Sequence, residues 1–403
     1  MKWATAITRK ASFNEALAEC VGCVRASLGP GPITLALAFV TPHFADYYGQ
    51  LHKILDKLLS PETLLGCSAG GVIGGGEEIE GLPAVSLIAA RLPDVVVRSF
   101  YLDGPLLDLD GPPGSWEKLI GVKQTDEPQF VILADPFTGR TEELLAGLDY
   151  AFPNSVKIGG LASGATSPGL NTLFLDGQAH TSGVVGVALS GNVAVDTVVA
   201  QGCRPVGEMM RVTSCEANIL YELDGRPAFS VLQELFAGLD ERDRRLARTS
   251  LFLGVAMDEF KEEIEVGDFL IRNILGIDPK REAIAIGEYL QEGVRVCFHI
   301  RDADASAEDL HIMLAGYKSA LAQKDTISGA LLFSCLGRGE HLYKMSNFDT
   351  GVFKQYLEEV PVGGFFCNGE IGPVGGTSFL HGYTSSFGLF RTREYGWSGT
   401  IEG

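Results

Sequence analysis

Short apolar runs and stretches of helical spacing follow one another along the chain in a regular order. Residues 33–40 are continuously apolar and predict a buried strand, whereas residues 44–59 carry apolar side chains every three or four positions and predict a helix. Two leucines then lead into a glycine loop at residues 66–71, and residues 84–90 form a further apolar run. The predicted order is strand, helix, strand, glycine loop and strand.

The same order recurs twice further along the chain. The corresponding elements are predicted at residues 130–134, 141–148, 156–158 and 183–189, and again at 330–333, 351–357, 362–366 and 383–390. The recurrence lies in the pattern and not in the amino-acid letters. Three units of one pattern indicate internal duplication of a supersecondary structure.

A further region separates the second unit from the third. Strands are predicted in it at residues 193–200 and 294–300, and helices at 228–239 and 306–321. Polar residues become more frequent at 205–223, which predicts a boundary between domains 1–207 and 208–403. Adjacent strands joined by loops argue against a wholly parallel sheet. The predicted fold is therefore α/β (α+β), with two related domains of mixed β-sheets flanked by helices.

A helix is predicted near the N-terminus, where Ser12 and Glu15 have the spacing of a capping box and Gly29 closes the end. Cys20 and Cys23 lie inside this helix with the spacing of a redox or metal pair. Cys20 falls on the apolar face, and no other cysteine or histidine pair completes a zinc set nearby. We therefore expect Cys20 to pack in the core.

Composition and charge narrow the class of protein. The chain has 403 residues, enough for two ordinary domains, and a formal net charge of −19 that disfavours binding to nucleic acids and anionic membranes. No apolar segment approaches the roughly 18 residues of a membrane span, and the N-terminus lacks the layout of a secretory signal. Eight scattered cysteines fit free thiols in a reducing compartment, so we expect a cytoplasmic protein.

The segment 363–391 is the richest in candidate binding residues, because glycines there separate two apolar runs. A tightly turning backbone would place five side chains of different chemistry together: Cys367, Asn368, Glu370, His381 and Tyr383. Glu370 can accept a hydrogen bond from an ammonium group, and Tyr383 offers a wall with a polar tip. With an arginine, this set would bind both ends of an amino acid or a related molecule. Glu370 and His381 are equally suited to pinning the loop.

Two further glycine loops carry candidate nucleophiles or ligand contacts. Cys67 and Ser68 lie at a strand-to-turn position, where a nucleophile could be exposed, backbone amides could bind an anion, or turn geometry alone could require the glycines. Cys335 and Arg338 follow another predicted strand. The arginine would lower the pKa of that thiol, whereas burial would raise it. The seven histidines are dispersed without pair spacing, so we predict no metal site.

A histidine and an arginine share one face at the end of the strand predicted at 294–300. If His299 and Arg301 are buried, they need carboxylates or an anionic ligand as partners. Internal salt bridges, such as Arg301 with Glu370 or Asp302 with Arg272, are one alternative. Binding of a carboxylate ligand is the other.

Five motifs follow one another along the chain, at residues 66–71, 134–137, 158–163, 221–228 and 333–339. Together with segment 363–391, they resemble in order the motifs of the FIST family, a sensory module of signal-transduction proteins that also occurs in an F-box protein. The resemblance runs from about residue 35 to residue 390. It implies FIST N and FIST C halves that bind a small ligand through glycine-rich loops. The ligand-binding residues predicted from the loops and the strand are Cys67, Ser68, Arg301, Cys335, Arg338, Cys367, Asn368, Glu370, His381 and Tyr383.

The resemblance also implies how the signal leaves the protein. No kinase, chemoreceptor or cyclic-nucleotide domain is fused to this chain, so output would pass to a separate partner such as a kinase or chemoreceptor. Some family members are regarded as haem-binding nitric-oxide sensors, which makes His180, His299 and His381 candidate axial ligands.

A cysteine- or serine-dependent hydrolase that uses Cys67, Ser68 or Cys335 is the remaining alternative. The sequence contains no convincing catalytic constellation, so we do not predict an enzyme.

Overall fold

The strands and helices of the chain are taken from a computed structural model that describes residues 1–104, 111–259, 261–321 and 326–393. The strands, numbered in chain order, begin with β1 Lys2–Thr8, β2 Ile33–Val40, β3 Pro61–Ser68, β4 Gly71–Gly74, β5 Glu77–Glu80, β6 Val85–Arg91, β7 Val95–Leu102, β8 Gln129–Ala134, β9 Lys157–Leu161, β10 Leu173–Leu175, β11 Gln178–His180 and β12 Val184–Gly191. They continue with β13 Ala194–Ala200, β14 Cys203–Glu216, β15 Ile219–Leu223, β16 Arg226–Pro227, β17 Leu251–Ala256, β18 Phe269–Asp278, β19 Ala283–Ile286 and β20 Arg295–Arg301. The last strands are β21 Gly329–Cys335, β22 Val362–Cys367, β23 Glu370–Val374, β24 Thr377–His381 and β25 Ser385–Arg391.

Four of the described helices lie between the two strands of a parallel pair, and the others lie elsewhere along the chain. They are α1 Phe13–Leu28, α2 Leu51–Leu58, α3 Pro113–Ile120, α4 Thr141–Ala151, α5 Ala228–Gly238, α6 Glu241–Ala247, α7 Ala303–Ala320, α8 Gly339–Tyr343 and α9 Phe348–Tyr356, with 3-10 turns at Pro42–Gln50, Gln124–Asp126 and Val266–Asp268. Among the described residues, no helix combines the length and the apolar content that a membrane crossing requires.

Two compact units form from discontinuous stretches of the chain. The first contains Met1–Val199, Leu314–Leu380 and Ser386–Gly403, and the second contains Ala200–Met313 and His381–Ser385. The second unit begins close to the boundary expected from the sequence at residues 207 and 208. The chain then returns to the first unit, so these compact units differ from the expected domains 1–207 and 208–403.

The first unit contains three sheets that share one strand order. The orders are β1-β6-β2-β3-β10-β11, β7-β12-β8-β9-β23-β24 and β13-β25-β21-β22-β4-β5. The two middle strands of each sheet are parallel: β2 with β3, β8 with β9, and β21 with β22. The structure thus contains the three units that the sequence pattern indicated, and all three lie in the first compact unit, with the second compact unit inserted after β13.

We call the three recurring sets of strands, each of which supplies the parallel pair of one sheet, the repeats. Each repeat contributes a hairpin to the sheet of another repeat. The hairpin β4–β5 joins the third sheet, β10–β11 joins the first, and β23–β24 joins the second. We call these three the exchanged hairpins. Because the exchange runs in a cycle, no sheet of the first unit is complete without strands from two repeats.

Continuous apolar strands are needed here because the sheets are buried on both faces. On β2, Leu35, Leu37 and Phe39 face a core that also contains apolar side chains of the other two sheets. The alternate residues of the same strand pack against α1 and α2. The first sheet therefore has a helical layer on one side and the shared core on the other. The second sheet has an equivalent layer formed by α3 and α4.

Glycine is required at one equivalent point in each parallel strand pair. A Cβ atom added to Gly66, Gly159 or Gly364 would lie 2.1, 1.8 and 1.8 Å, respectively, from a carbonyl oxygen of the neighbouring parallel strand. Backbone atoms cannot yield as a flexible side chain can. These three glycines therefore allow the close approach of strands around the shared core.

The second unit is a single antiparallel sheet in the order β14-β20-β17-β18-β19-β15-β16. Residues 203–211 of β14 pair with β20, and residues 212–216 pair with β15, so β14 also contacts the last but one strand of the order. One side of the sheet buries Leu220, Leu253 and Phe298 against α5 and α6.

The expected fold class, α/β with mixed sheets flanked by helices, is confirmed. One local expectation is wrong. Ser12 makes no side-chain cap to α1, which is instead anchored by its buried face, including Cys20. The polar stretch 205–223, where we expected a boundary, forms most of the long strand β14 and of β15, because one face of a sheet can remain exposed.

Candidate functional site

Three glycine motifs of one form follow the parallel strand pairs of the first unit. They occupy residues 66–71, 159–164 and 364–369, and each has glycine at its first and sixth positions. Each motif leads from the second strand of a parallel pair towards an exchanged hairpin. The letters of the sequence therefore do carry the duplication, contrary to our expectation that only the pattern does.

The three motif loops are bonded to one another. At their fifth positions lie Gly70, Ser163 and Asn368. The Ser163 hydroxyl accepts a hydrogen bond from the Gly70 N–H at 2.9 Å and donates to the Phe366 carbonyl. The Asn368 side-chain amide donates to the Ala162 carbonyl at 2.9 Å. Much of the hydrogen-bonding capacity of these loops is thus used inside the first unit.

Ser68 has a structural role in its loop. Its side chain is buried, its hydroxyl accepts from the Thr172 N–H at 2.9 Å, and it donates to Asn171 Oδ1 at 3.3 Å. These bonds tie the first glycine loop to the segment that leads into β10. A hydroxyl held in this way lacks a base to activate it.

The candidate thiols of the first unit are buried. Burial raises the pKa of both Cys67 and Cys367 well above the usual value, and the nearby Glu370 carboxyl raises that of Cys367 further. Cys335 is 9% exposed and lies beside Cys367 in the parallel pair. Protonated, buried thiols are poor nucleophiles, so the geometry does not favour a cysteine-dependent hydrolase at Cys67, and the Cys335 side chain is buried as well.

Arg338 is held by an acidic side chain of α9. Arg338 and Asp349 are both 0% exposed, and their two hydrogen bonds measure 2.9 and 3.0 Å. Ser334 donates to the same carboxylate at 2.9 Å, and the guanidinium lies over the ring of Tyr343. The guanidinium that we expected beside Cys335 is therefore committed to a buried ion pair.

The side chains expected in one pocket are divided between the two units. Glu370 is fully buried at the start of β23, whose backbone pairs with β9 in the first unit. His381 is 2% exposed and belongs, with Tyr383, to the second unit. Arg301 also belongs to the second unit, at the end of β20.

One face of the sheet in the second unit carries the remaining candidates, and we call it the Arg301 face. Cross-strand pairing places His299 opposite Phe252, and Phe252 opposite Asn273. The face includes Cys203 of β14, Phe252, Gly254 and Ala256 of β17, Phe269, Ile271 and Asn273 of β18, and Cys297, His299 and Arg301 of β20, with Tyr383 packed on it. Its charge is positive, because none of these side chains is a carboxylate.

Arg301 presents unused donors on this face. Its Nε and Nη2 atoms are buried and have no hydrogen-bond acceptor in the described part of the chain. These two nitrogens form one edge of the guanidinium, where two parallel N–H groups match the two oxygens of a carboxylate. Leaving such donors unmet costs free energy, so the arrangement indicates an external acceptor.

The internal salt bridges expected as alternatives do not form as we proposed them. Asp302 is bound by Arg204 at 2.8 Å and by Arg242 at 2.9 Å, and these arginines hold its pKa below the usual range despite burial. Arg272 pairs instead with Glu288 at 2.7 Å. The carboxylate next to Arg301 in sequence is thus occupied by other arginines.

Tyr383 fixes the position of Arg301. Its ring lies 5.2 Å from the guanidinium carbon of Arg301 and 4.3 Å from the ring of Phe252, and its hydroxyl donates to Asn273. The backbone of Tyr383 has φ 67°, a left-handed conformation that is uncommon for a bulky residue. Such local strain concentrates at binding sites, where surrounding contacts enforce it.

His299 is the second polar group of the Arg301 face. It is fully buried, its Nδ1 lies 3.0 Å from the Cys297 carbonyl, and its Nε2 has no hydrogen-bond partner in the described ranges. Burial lowers the pKa of His299 to about 4, so the ring is neutral at pH 7. Because Nδ1 must donate to the carbonyl, Nε2 carries the lone pair and acts as an acceptor.

Sequence reasoning missed Gly254, which makes room for this histidine. A Cβ atom at Gly254 would lie 2.4 Å from Cε1 of His299. Phe252 and Asn273 were also missed, because neither lies near Arg301 in sequence. The alternation of side chains on β17 would have placed Phe252 and Gly254 on one face, but the register with β20 was not available from the pattern.

Three cavities described for the first unit lie away from the glycine motifs. The largest, about 640 Å³, is lined by side chains that include Arg98, Thr125 and Arg393, and the smallest, about 60 Å³, lies beside His52. A third, of about 450 Å³, is an open groove beside Arg9. Within the described ranges, no group of three or more His, Cys, Asp or Glu side chains is arranged to hold a metal ion.

The chain matches the models of two domain families. Residues 34–226 match the FIST N domain and residues 228–373 match the FIST C domain. An uncharacterised protein of Mycobacterium tuberculosis strain H37Rv is 34% identical over 392 residues, covering 97% of this chain and 100% of that protein. An uncharacterised protein of Mycobacterium bovis is 33% identical over 379 residues, covering 94% and 95% of the two chains.

More distant similarities are limited in extent or depth. An F-box/LRR-repeat protein of Arabidopsis thaliana is 31% identical over 101 residues, which are 22% of this chain and 19% of that protein. A crystal structure of cyanuric acid hydrolase from A. caulinodans aligns over 97% of this chain and 99% of its own, with 10% identity and a TM-score of 0.35. That likeness is too distant to support a statement about activity.

Proposed function

The chain belongs to the FIST family, whose domains are signal-transduction sensory domains, and we propose that it senses a small carboxylate, an amino acid or a derivative of one. A conformational change on ligand binding would be transmitted to a partner protein such as a kinase or chemoreceptor. The reducing, cytoplasmic setting expected from the scattered cysteines is part of the same proposal.

The observation that carries the proposal is the buried edge of Arg301. Two of its N–H donors have no acceptor in the described chain, and the carboxylate beside it in sequence, Asp302, is taken by Arg204 and Arg242. A ligand carboxylate would satisfy both donors at once. Tyr383, whose hydroxyl is held by Asn273, lies against the guanidinium and keeps it ready for that contact, which reduces the entropy lost on binding.

Ligand binding would also provide the physical signal. Tyr383 adopts its left-handed backbone in the short connection between β24 and β25, and it contacts Arg301 directly. A ligand that neutralises Arg301 changes the energy of the Arg301–Tyr383 contact and therefore the balance between conformations of this connection. Only a ligand with different affinities for the two conformations transmits a signal.

The test is a binding screen on the full chain. A panel of amino acids, keto acids and hydroxy acids is measured by thermal shift and by calorimetry, with wild type, Arg301→Gln and the control Arg248→Gln. Arg248 is an exposed arginine at the end of α6 in the same unit. We expect at least one carboxylate to raise the melting temperature of wild type and the control but not of Arg301→Gln. Binding that survives Arg301→Gln refutes the site, and a panel without any binder refutes the proposed ligand class.

A haem-based gas sensor is the second candidate, and His299 favours it. The hydrogen bond from Nδ1 to the Cys297 carbonyl leaves the Nε2 lone pair available, which is the arrangement of a histidine that binds iron through Nε2. Purified protein with a Soret band that disappears in His299→Leu would establish this function. A colourless protein that gains no band with added haemin eliminates it.

A further inference from the structure

The Arg301 face allows the ligand class to be narrowed beyond a small carboxylate. This step rests on the proposed function, because it concerns the same site. Two polar groups at the Tyr383 end of the face remain unmet in the described chain: the donor edge of Arg301 and the acceptor Nε2 of His299. A matching ligand must therefore carry an acceptor with two oxygens and, separately, a hydrogen-bond donor.

The charge balance of the face favours a single negative charge on the ligand. Arg301 has two unmet donors, and no carboxylate lies among the side chains named for the face. Arg295, whose Nε is also unmet in the described chain, lies six positions earlier on β20, about 20 Å away, and so does not change the balance at Arg301. A dianion such as a phosphate ester would leave one charge uncompensated among buried apolar neighbours, including Phe252 and Ile271. One monoanionic carboxylate balances one guanidinium.

The same balance disfavours a charged amine. An ammonium group bound there would find no carboxylate on the face, and its acceptor would be the neutral imidazole of His299. Burial lowers the pKa of this ring, so Nε2 does not readily take up a proton. It still accepts a hydrogen bond from a neutral hydroxyl group. The donor that fits Nε2 is therefore uncharged.

We infer that the Arg301 face binds a small hydroxy acid, with its carboxylate on the Nε–Nη2 edge of Arg301 and its hydroxyl donating to Nε2 of His299. The two residues are two positions apart on β20, so their Cα atoms are separated by about 6.6 Å along the strand. This separation suits a carboxylate and a hydroxyl on the same or adjacent carbon atoms. An apolar ligand body would contact Tyr383.

Matched ligands test the inference on the unmodified protein. Phenyllactate carries the hydroxyl, phenylalanine carries an ammonium group in its place, 3-phenylpropionate carries neither, and phenyllactamide lacks the carboxylate. We expect phenyllactate to bind about tenfold more tightly than 3-phenylpropionate, since one buried hydrogen bond separates them. Phenylalanine should bind at least about tenfold more weakly than phenyllactate, because its ammonium group is desolvated without a carboxylate partner. Phenyllactamide should not bind measurably.

Variants separate this inference from the proposed function. In His299→Leu, phenyllactate and 3-phenylpropionate should bind equally, and in Arg301→Gln neither should bind. Because His299 is buried, folding of the variant is checked by circular dichroism, and the wild-type ligand comparison decides the matter if the variant does not fold. Phenylalanine that binds as tightly as phenyllactate, with loss in Arg301→Gln, overturns the hydroxy-acid inference but leaves the proposed function standing. Binding of all four ligands, or of none, in wild type and Arg301→Gln alike overturns both.

Discussion

Replacing Glu78 by glutamine should remove a large part of the pH dependence of stability in the first unit. Glu78 lies on β5 of an exchanged hairpin and is 5% exposed. One carboxylate oxygen accepts from the Thr350 N–H at 2.7 Å, and the other has no hydrogen-bond partner within the described chain. Asp349, one residue before Thr350, adds a second negative charge nearby.

The magnitude follows from the pKa of this carboxyl. Burial and then the charge of Asp349 raise the pKa of Glu78 from 4.5 to about 8, although the Thr350 N–H acts against the shift. At ~1.36 kcal/mol per pKa unit, the shift corresponds to roughly 5 kcal/mol. The folded state holds this proton more tightly than the unfolded chain does. The contribution of protonated Glu78 to the free energy of unfolding is therefore fully present below pH 4.5 and is lost as the pH rises through about 8.

Urea unfolding at several pH values between 5 and 8 measures this effect. Two of the three tryptophans, Trp3 and Trp116, are buried in the first unit, so their fluorescence reports its unfolding. Glutamine keeps an acceptor for the Thr350 N–H but cannot ionise. We expect Glu78→Gln to match wild type near pH 5 and to exceed it by several kcal/mol at pH 8.

The control is Glu77→Gln, which removes a charge from the neighbouring residue. Glu77 is 52% exposed and pairs with Arg9 on the surface, so its removal should change stability by less than about 1 kcal/mol at any pH. Equal pH slopes for wild type and Glu78→Gln would refute the reasoning, because they would show that Glu78 is ionised in the folded protein without cost.

Three further predictions concern the first unit. Arg338→Met should destabilise it by about 3–5 kcal/mol in urea unfolding, because Asp349 is left buried without its cation, whereas the double variant Arg338→Met with Asp349→Leu should recover much of the loss. In native protein at pH 7.5, iodoacetamide should modify the exposed Cys23 and spare Cys67 and Cys367, because burial raises the pKa values of these two thiols. Peptide mass spectrometry measures the labelling, and rapid labelling of either buried thiol would contradict this expectation. Gly364→Ala should lower the free energy of unfolding by more than about 3 kcal/mol, because the added Cβ meets the Leu332 carbonyl. Gly316→Ala in α7, where the added Cβ has open space, should raise it by up to about 1 kcal/mol. Similar effects of the two changes would disprove the steric argument.

Most individual elements could be predicted because burial imposes a readable pattern. The apolar run at 33–40 corresponds to β2, and the runs at 130–134 and 362–366 correspond to β8 and β22 within a residue or so. The exceptions arise where burial is partial or local geometry intervenes. The predicted helix at 44–59 is a 3-10 turn followed by the short α2, since Phe44 has a non-helical backbone.

The exchange of hairpins could not be predicted in the same way. Whether β4 pairs with β3 or with β22 depends on contacts between residues almost three hundred positions apart. Periodicity reports which face of a strand is buried and not which strand lies beside it. The glycines at the first and sixth positions of the motifs were the readable signal of equivalence, because each first glycine meets a neighbouring carbonyl.

The candidate site shows the same division between local and distant information. Alternation on one strand placed His299 and Arg301 on a common face. The pairing of Arg204 and Arg242 with Asp302 and the position of Gly254 beneath the imidazole depend on strand register, which the sequence pattern does not contain. The positions of Cys67 and Cys335 near strand ends likewise followed from the glycine loops, but the burial of Cys67 and Cys367 depends on the shared core.

The cyclic exchange of hairpins sets the order in which a newly synthesised chain can mature. The strands β4 and β5 leave the ribosome early, yet the sheet that receives them is made from β21, β22 and β25, which are translated last. In the interval, the apolar strand β4 has an edge without its final neighbour, a condition that favours pairing between chains. Nascent chains that stall before Gly329 should therefore depend on chaperones more than chains that have reached Arg391.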